Sequence, residues 1–527
     1  MDAMLIRRPD DPDLLFLRHD HKDLARCARL ASLRPTPVVL ASVTSQFLAH
    51  GLDEETLPGF RNLLKVWMDR DPDNSMPLVL RGQLDISCGN LKEGLESLVR
   101  ASQLRFLRTY SLEGQQEALR IQKQEGLTEV EYLATYGLHN LNLVIAVTKA
   151  CSLLATTSGE NHLRRNRGES QRLAEAEYRL ARSFTASGKC LMEATLAYDA
   201  VSYAAECLCE LHLMVGEDAL ASRYATESRH RHLAQRALKL AQEREVARNP
   251  ITQLMKEVGL LKQFDSAYMK GVLDSLLAVS PSDLWNRLLV KMREVEGKDA
   301  WPRFYAKLRE NEGRVRPYLE SQIHRGYVEV ALEGVTEEDR RSIESLKFPI
   351  DHFMEEKKTF YPERYGTEHR DRLIMYLTAA DQGGDSELRD YLRERAAGAL
   401  IHHDDKGALP GLCALLDAKG SSVSEVLVAV TMVALGDHSD RVIKILEEGF
   451  DVYQAGVCWA VAHLGRTKVI PELVREFELG VRPGQISNNF QEAVTAYFAL
   501  KELTGQDFGF YPGKWSEWAE RTGNKKK

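Results

Sequence analysis

The chain has 527 residues, too many for one globular core and enough for about two to four domains or one extended array. Hydrophobic residues make up 44% of it and charged residues 28%, which excludes wholesale disorder. Its formal net charge is −7, which argues against a general nucleic-acid binder, because such a protein normally carries a basic excess.

The eight cysteines are scattered and form no C-x-x-C pair, so zinc-ribbon, thioredoxin-like and c-type haem sites are not predicted. Most lie among apolar neighbours, as small core residues do in a reducing compartment. Residues 1–12 hold no apolar segment, so we expect no signal peptide. The longest apolar runs, 143–147 and 426–435, are far shorter than the ~20 residues of a membrane span. These features predict a cytoplasmic protein without membrane segments.

Helical periodicity dominates the chain after an N-terminal tail at residues 1–13. The clearest repeat begins at Ser75 and follows Pro72, a residue type that ends helices. Its small residues fall where two antiparallel helices of a 34-residue unit would touch, and larger side chains there would push the helices apart. These small residues, with the apolar residue that fills the gap, are Gly82, Gly89, Gly94, Leu98 and Ala101.

Two other stretches match the same unit less well. The preceding unit, from Ala41, places Phe60, Leu64 and Trp67 on the face that its second helix would bury. A later match needs one extra residue after Gly188. Residues 14–250 therefore resemble degenerate tetratricopeptide repeats, and the resemblance implies stacked helix pairs with a concave surface. The later match consists of Leu180, Ala181, Phe184, Ala194, Tyr198 and Val201.

Residues 251–385 are predicted to be a helical connecting region without repeats. Ser282 and Asp283 have the character of a helix cap before an amphipathic helix. Residues 327–332 alternate weakly and suggest a short strand, and residues 357–372 suggest a loop or linker.

The C-terminal third carries a second repeat, in which helical segments rich in Ala, Val and Leu end in tight turns before a second helix. The leucines Leu400, Leu435, Leu464 and Leu503 lie roughly 30–40 residues apart. A Thr-Gly-Gln-Asp-Phe-Gly turn begins at Thr504 and precedes a tryptophan-bearing segment. Residues 386–522 resemble bacterial HEAT-like repeats, followed by a basic tail at 523–527. The residues expected to cap the last repeat are Phe508, Trp515 and Trp518.

Three short stretches contain residue types that bind metal ions, and for each we prefer a structural interpretation without a metal. His402 and His403 with the two following aspartates fall where a repeat turn belongs, and polar turn residues explain them. The string His19 to His21 is interpreted in the same way. Cys207 and Cys209 would point to opposite faces of a helix. We therefore predict no metal, no cofactor and no catalytic residue.

The common phosphate-binding, serine-hydrolase and metalloprotease motifs do not occur in the sequence. Two basic clusters, one at Arg164, Arg165 and Arg167 and one at Arg229 and Arg231, could contact an anion, although solvated faces explain them more simply.

The sequence as a whole predicts an all-α solenoid of stacked antiparallel helix pairs that serves as a non-catalytic protein-protein interaction scaffold. Its partner would be a protein or peptide held on the inner helices, and Leu78, Arg81 and Asp85 are the candidate partner-binding residues. One alternative is an enzyme, because the HEAT-like resemblance extends to bilin lyases; convergent His, Asp or Arg from the second array in a deep pocket would favour it. The other is an anion- or nucleic-acid-binding solenoid.

Overall fold

The computed structural model shows an all-α protein. Within the described residues the chain forms helices and turns, without a β-strand. An isolated β-bridge joins Asn74 and Phe106. The predicted fold class, an all-α solenoid of consecutively packed helices, is confirmed. The described residues are 2–18, 23–126, 141–187, 191–248, 250–257, 300–378, 386–417, 425–451, 454–481 and 490–523.

The N-terminal part consists of short helices that pack in sequence order. Prolines occupy the first turn of several of them, where their fixed φ suits a helix start and no backbone hydrogen bond is lost. Phe60, Leu64 and Trp67 are buried, as the repeat register predicts. The helices are α1 (Asp2–Arg7), α2 (Pro12–Arg18), α3 (Leu24–Leu33), α4 (Pro37–His50), α5 (Leu57–Arg70), α6 (Met76–Ser87), α7 (Leu91–Ala101) and α8 (Ser111–Gln124).

Helices α6 and α7 approach closely because each carries a glycine at the contact. A Cβ atom on Gly82 would lie 2.8 Å from the carbonyl oxygen of Gly94, and one on Gly94 would lie 2.6 Å from that of Gly82. The predicted role of these two glycines is confirmed. Gly89 has a different role from the one predicted, because it lies in the turn after α6 with φ +94° and is covered by the ring of Tyr511.

Four long helices follow, and each of the last three packs on the one before it. Leu180, Phe184 and Val201 of the third repeat match are buried between them. The helices are α9 (Leu141–Leu163), α10 (Arg167–Ser187), α11 (Leu191–Met214) and α12 (Asp218–Arg248).

Helix α9 lies across α4 and α6, the first helices of two predicted repeats. The Gln83 side chain donates a hydrogen bond to the Ala146 carbonyl over 2.7 Å, and Asn142 donates to the Ser45 carbonyl over 3.2 Å. Residues 39–48 of α4 are all buried. The chain's own helix therefore covers a face that the solenoid prediction leaves to a partner.

The connecting region is helical where it is described, and it corrects two predictions. Residues 327–332 form a helix instead of a strand, because Ala331 packs against Ala241 of α12. Residues 357–372 include one short helix and the start of another. Ser282 and Asp283 lie outside the described residues. The helices are α13 (Pro250–Glu257), α14 (Ala300–Glu310), α15 (Glu312–Arg325), α16 (Tyr327–Leu332), α17 (Glu337–Glu344), α18 (Pro349–Glu355), α19 (Lys357–Phe360) and α20 (Thr367–Thr378).

The C-terminal part forms successive helix pairs where the second repeat predicts them. Trp515 is fully buried near the end of the array, and its indole N–H donates a hydrogen bond over 3.0 Å to the Gly509 carbonyl, as a cap requires. The helices are α21 (Ser386–His402), α22 (Leu409–Asp417), α23 (Glu425–Ala434), α24 (Asp440–Glu448), α25 (Ala455–His463), α26 (Ile470–Gly480), α27 (Phe490–Thr504) and α28 (Pro512–Gly523).

The C-terminal array packs back onto the N-terminal half. Helix α9 contacts α25 and α27 in addition to α4 and α6, so it lies between the two arrays. Arg164, just after α9, lies 3.2 Å from Glu502 and stacks 4.9 Å from the centre of the Phe498 ring. None of the described helices combines the length and apolar character needed to cross a membrane.

Candidate functional site

The three predicted partner-binding residues lie on α6. Leu78 is only 8% exposed, so little of its side chain is presented at the surface, and its role in partner binding stays a prediction. Helix α9 packs on α6, a contact that register alone did not anticipate. The Arg81 guanidinium lies 3.8 Å from the Asp85 carboxylate on the outer part of α6. Partner binding by these two residues stays a prediction.

A different group of polar side chains meets where the two halves of the chain come together. We call this region the Glu210 groove. One wall is α11, whose members follow at helical spacing and therefore share a face. The other wall is α21, where the same spacing recurs, and Tyr361 and His162 complete the lining. The groove residues are Tyr203, Cys207 and Glu210 on α11, Tyr391, Arg395 and His402 on α21, and Tyr361 and His162.

Glu210 joins the two walls. Its carboxylate accepts a hydrogen bond of 2.8 Å from the Tyr361 hydroxyl and another from the guanidinium of Arg395. The side chains of Arg395 and Glu210 are 14% and 13% exposed, so little water screens this ion pair. Gly398 leaves room for the pair, since a Cβ there would lie 3.3 Å from a Glu210 oxygen. The pair thus fixes α21 against α11.

Burial keeps the other titratable groups of the groove uncharged. It raises the pKa of the Cys207 and Cys209 thiols to about 12 each, and it raises the pKa of the Tyr361 and Tyr391 phenols well above the usual value. Burial, followed by the neighbouring His403, lowers the pKa of His402 to about 4. Near neutral pH the groove therefore presents thiols, phenols and a neutral imidazole around one ion pair.

Four buried polar atoms at this site have no hydrogen-bond partner within the described part of the chain. They are the Tyr391 hydroxyl, Nε of Arg395, and Nδ1 of both His402 and His162. A buried polar group left without a partner costs about 1–3 kcal/mol, so folded proteins rarely keep several together. All four are shielded from solvent, and they mark this cluster as the candidate functional site.

The groove is accessible from solvent on the α11 side. Tyr203 is 55% exposed, which is unusual for a large aromatic residue. The neighbouring Cys207, followed by burial, raises the pKa of its phenol. Tyr203 therefore offers an exposed aromatic surface at the edge of the groove.

The predicted turn at His402 is found, and its polar residues serve the fold. The Arg370 guanidinium donates hydrogen bonds of 2.6 and 2.8 Å to Asp405, and the Tyr365 hydroxyl donates another of 2.8 Å. A His403 ring nitrogen lies 2.9 Å from the Phe360 carbonyl. Across the described ranges, no three His, Cys, Asp or Glu side chains group as metal ligands would. His19, Asp20 and His21 lie outside those ranges.

The two cysteines of α11 both lie near the groove, since Arg395 and Glu210 act on the pKa of each thiol. The Cys209 sulfur also lies 3.5 Å from that of Met354 on α18. His212 does not join them, because its ring lies 2.6 Å from the Glu217 carboxylate.

The two basic clusters are engaged in contacts within the chain. Arg164 pairs with Glu160 and Glu502, and Arg165 lies 3.9 Å from Asp404. In the second cluster, Arg229 lies 3.4 Å from Asp351 and Arg231 lies 2.6 Å from Glu227. These four guanidinium groups therefore lie near carboxylates of the chain, and anion binding by either cluster stays a prediction.

Sequence reasoning missed Glu210, Tyr361, Tyr391 and Arg395, because they lie in different elements and match no motif. The available signal was a set of polar and aromatic residues at helical spacing on each of α11 and α21. No protein-family model, curated protein or solved structure matches this chain significantly.

Proposed function

We propose that this chain is an interaction scaffold that binds a protein or peptide segment in the Glu210 groove. The observation that carries the proposal is the exposed aromatic ring of Tyr203 beside the polar cluster where the two halves of the chain meet. A partner that covered this ring would remove a large aromatic surface from water.

The dimensions of the groove suit an extended segment. On α21 the groove residues run from Tyr391 to His402, eleven steps of ~1.5 Å that span about 16 Å. An extended peptide of about five residues has this length. Each of its residues brings one backbone donor and one acceptor. Tyr203 would supply the aromatic anchor that dominates many peptide interfaces.

The groove chemistry supports binding better than covalent catalysis. A thiol with a pKa of about 12 is almost wholly protonated at neutral pH, so Cys207 is a poor nucleophile. The Glu210 carboxylate is occupied by Arg395 and Tyr361. We further take the two arrays as tetratricopeptide-like and HEAT-like, and the compartment as the cytoplasm, which suits the free thiols of the described cysteines.

Affinity capture from the native source with two matched variants tests the proposal. Tyr203→Ala removes the exposed ring of the groove, and Met375→Ala removes a side chain of equal exposure, 55%, on α20. We expect the wild-type chain and Met375→Ala to capture the same partner and Tyr203→Ala to lose it. Equal capture by both variants would contradict the proposal.

A second candidate function is an enzyme related to the HEAT-like lyases of bilins. The observation that favours it is the convergence of Arg395 and His402, both from the C-terminal array, on Glu210. A bilin added to the purified chain tests this alternative through its absorbance spectrum. A spectral shift that disappears in His402→Gln would support it, and an unchanged spectrum would reject it.

A further inference from the structure

We infer that the contact between α9 and α27 is a conformational switch: the last repeats of the C-terminal array move away from α9, and the ionisable side chains buried between them take up charge in water. None of these side chains lines the Glu210 groove, so the switch does not depend on a ligand bound there. It follows from the groups that the contact buries and from the way the array is attached at its two ends.

The contact buries a lysine and a glutamate that lie close together without a hydrogen bond. Lys149 on α9 is 8% exposed, and Glu492 on α27 is 9% exposed. Each acts on the pKa of the other, so the two side chains are near neighbours. Nζ of Lys149 and Oε2 of Glu492 nevertheless have no hydrogen-bond partner in the described part of the chain. A buried pair of opposite charges offsets its desolvation only when such bonds are made, so this pair weakens the contact.

A second carboxyl group is buried about three helical turns further along α9. Glu160 is fully buried, and its carboxylate pairs with Arg164 just after the helix. Thr495 and Glu502 of α27 also act on the pKa of Glu160, which places it at the same contact. The surface between α9 and α27 therefore holds ionisable groups from both helices.

Burial opposes charge on all three side chains. It lowers the pKa of Lys149 from 10.5 to about 7, and it raises the pKa of Glu160 from 4.5 to about 7. Burial likewise raises the pKa of Glu492. The opposite charges nearby, Glu492 for Lys149 and Arg164 for Glu160, act in the other direction but do not reverse these shifts. The closed contact therefore disfavours the charge that each group would carry in water.

Further acidic groups near the contact act in the same direction on the two glutamates. The Cys458 thiol on α25 also lies near Glu160, and burial, followed by the charge of Glu160, raises the pKa of this thiol. Ionisation of the two glutamates is harder with these groups nearby while the contact is closed. The acidic groups are Glu502 beside Glu160, and Glu476 and Asp451 beside Glu492.

Opening of the contact relieves this constraint most strongly near neutral pH. In water, Lys149 is protonated below about pH 10.5 and Glu160 is ionised above about pH 4.5. Near pH 7, opening therefore lets Lys149 take up a proton and lets Glu160 release one. As pH falls to 4.5, the contribution of Glu160 vanishes because the group is protonated in both states. As pH rises to 10.5, the contribution of Lys149 vanishes because the group is neutral in both states.

The array can move at one end because its other end is fixed separately. Arg395 of α21 pairs with the buried Glu210 of α11, which holds the start of the array. The last repeats rest on α9 and, through Tyr511, on Asn90. In proteins built from stacked helix pairs, each pair packs mainly on its neighbours, so an end can shift as a unit without unfolding. Opening then requires the loss of the packing on α9 and of the Tyr511 contact.

Cys458 is a built-in probe of this opening. It is 1% exposed and lies near Glu160, so a thiol reagent reaches it when α25 and α27 leave α9. Cys27 on α3 is fully buried and reports unfolding of the N-terminal half instead. Pulses of dithiodipyridine on the full chain, followed by peptide mass spectrometry, give both labelling rates. Near pH 7 we expect Cys458 to react at least about tenfold faster than Cys27, because local opening is more frequent than unfolding.

Two variants remove one ionisable group each. Lys149→Met and Glu160→Gln should each slow the labelling of Cys458 near pH 7 by at least about tenfold, because a pKa displaced by one unit changes an equilibrium tenfold and both are displaced further. The labelling of Cys27 should not change. For Glu160→Gln, the difference from the wild type should disappear near pH 4.5.

The matched controls are Lys444→Met and Glu448→Gln, in a well-exposed ion pair on α24, and they should react as the wild type does. Three outcomes would overturn the inference. The first is labelling of Cys458 no faster than that of Cys27 in the wild type. The second is that the two variants leave the labelling of Cys458 unchanged or slow both cysteines equally. The third is a Glu160→Gln effect of the same size at pH 4.5 and near pH 7.

Discussion

The hydroxyl of Tyr511 donates a hydrogen bond over 3.1 Å to the side-chain oxygen of Asn90, a residue 421 positions earlier in the chain. The ring of Tyr511 covers the neighbouring Gly89. The segment before the last helix therefore rests on the turn between α6 and α7. Together with the packing of α25 and α27 on α9, this contact returns the C-terminal array to the N-terminal half.

Gly89→Ala should weaken this contact. The residue has φ +94°, which costs a non-glycine residue about 1–2 kcal/mol. Its new Cβ would also lie 2.4 Å from the Tyr511 ring, which adds about 1–3 kcal/mol of overpacking. Thermal unfolding measures the loss.

Gly436→Ala is the matched control, because Gly436 has φ +93° and no atom within 4 Å of its added Cβ. The difference between the two variants isolates the Tyr511 contact. Equal destabilisation of both would show that Tyr511 does not rest on Gly89 in solution.

Gly82→Ala should destabilise the chain by about 1–3 kcal/mol, because its Cβ would lie 2.8 Å from a backbone oxygen of α7 that cannot easily move. Gly159→Ala, on the exposed face of α9, meets no atom within 4 Å and should stabilise by about 0.5–1 kcal/mol. Urea unfolding gives both values, and the same sign for both would contradict the close approach of α6 and α7.

Glu210→Ala should cost about 3–5 kcal/mol, because it leaves the buried Arg395 without its counter-charge. Asp417→Ala is the comparison. It removes the partner of Arg441 at 2.6 Å, where both side chains are well exposed, and should cost less than about 1 kcal/mol. Similar free energies of unfolding for the two variants would indicate that the ion pair of Glu210 and Arg395 is exposed to solvent.

The variant Lys149→Met should be more stable than the wild type, by an amount that depends on pH. Burial lowers the pKa of Lys149 from 10.5 to about 7, and Nζ has no hydrogen-bond partner in the described part of the chain. As pH falls below 10.5 the unfolded chain takes up a proton that the folded chain resists, which destabilises the fold until about pH 7. The variant should be more stable than the wild type by up to a few kcal/mol at pH 7, with the difference vanishing near pH 10.5. A difference that does not change with pH would contradict the burial of a neutral Lys149.

The helix pairs could be predicted because their signals are local. Gly82 and Gly94 lie at fixed positions in one repeat. The apolar, alanine-rich sequence before Leu435 and Leu464 indicates buried helices by itself, and these segments are buried. The six residues from Tyr327 were assigned wrongly because so short a run fits either period, and packing on α12 decides it.

The groove could not be predicted, because it depends on how distant helices meet. Glu210 and Arg395 are 185 residues apart, and the sequence around neither residue indicates that the two are in contact. The packing of α9 on α6 has the same origin, since these helices meet only after the chain has turned back. Repeat register places a residue within its pair but does not identify what packs on the pair.

The central claim is that the Glu210 groove receives the partner, and site-specific photo-crosslinking tests it most directly. A benzophenone amino acid replaces Tyr203 in one version of the chain and Met375 in another, and both are irradiated in the native source. We expect one defined adduct from position 203 and none from position 375. Adducts only from position 375, or the same adducts from both, would contradict the claim.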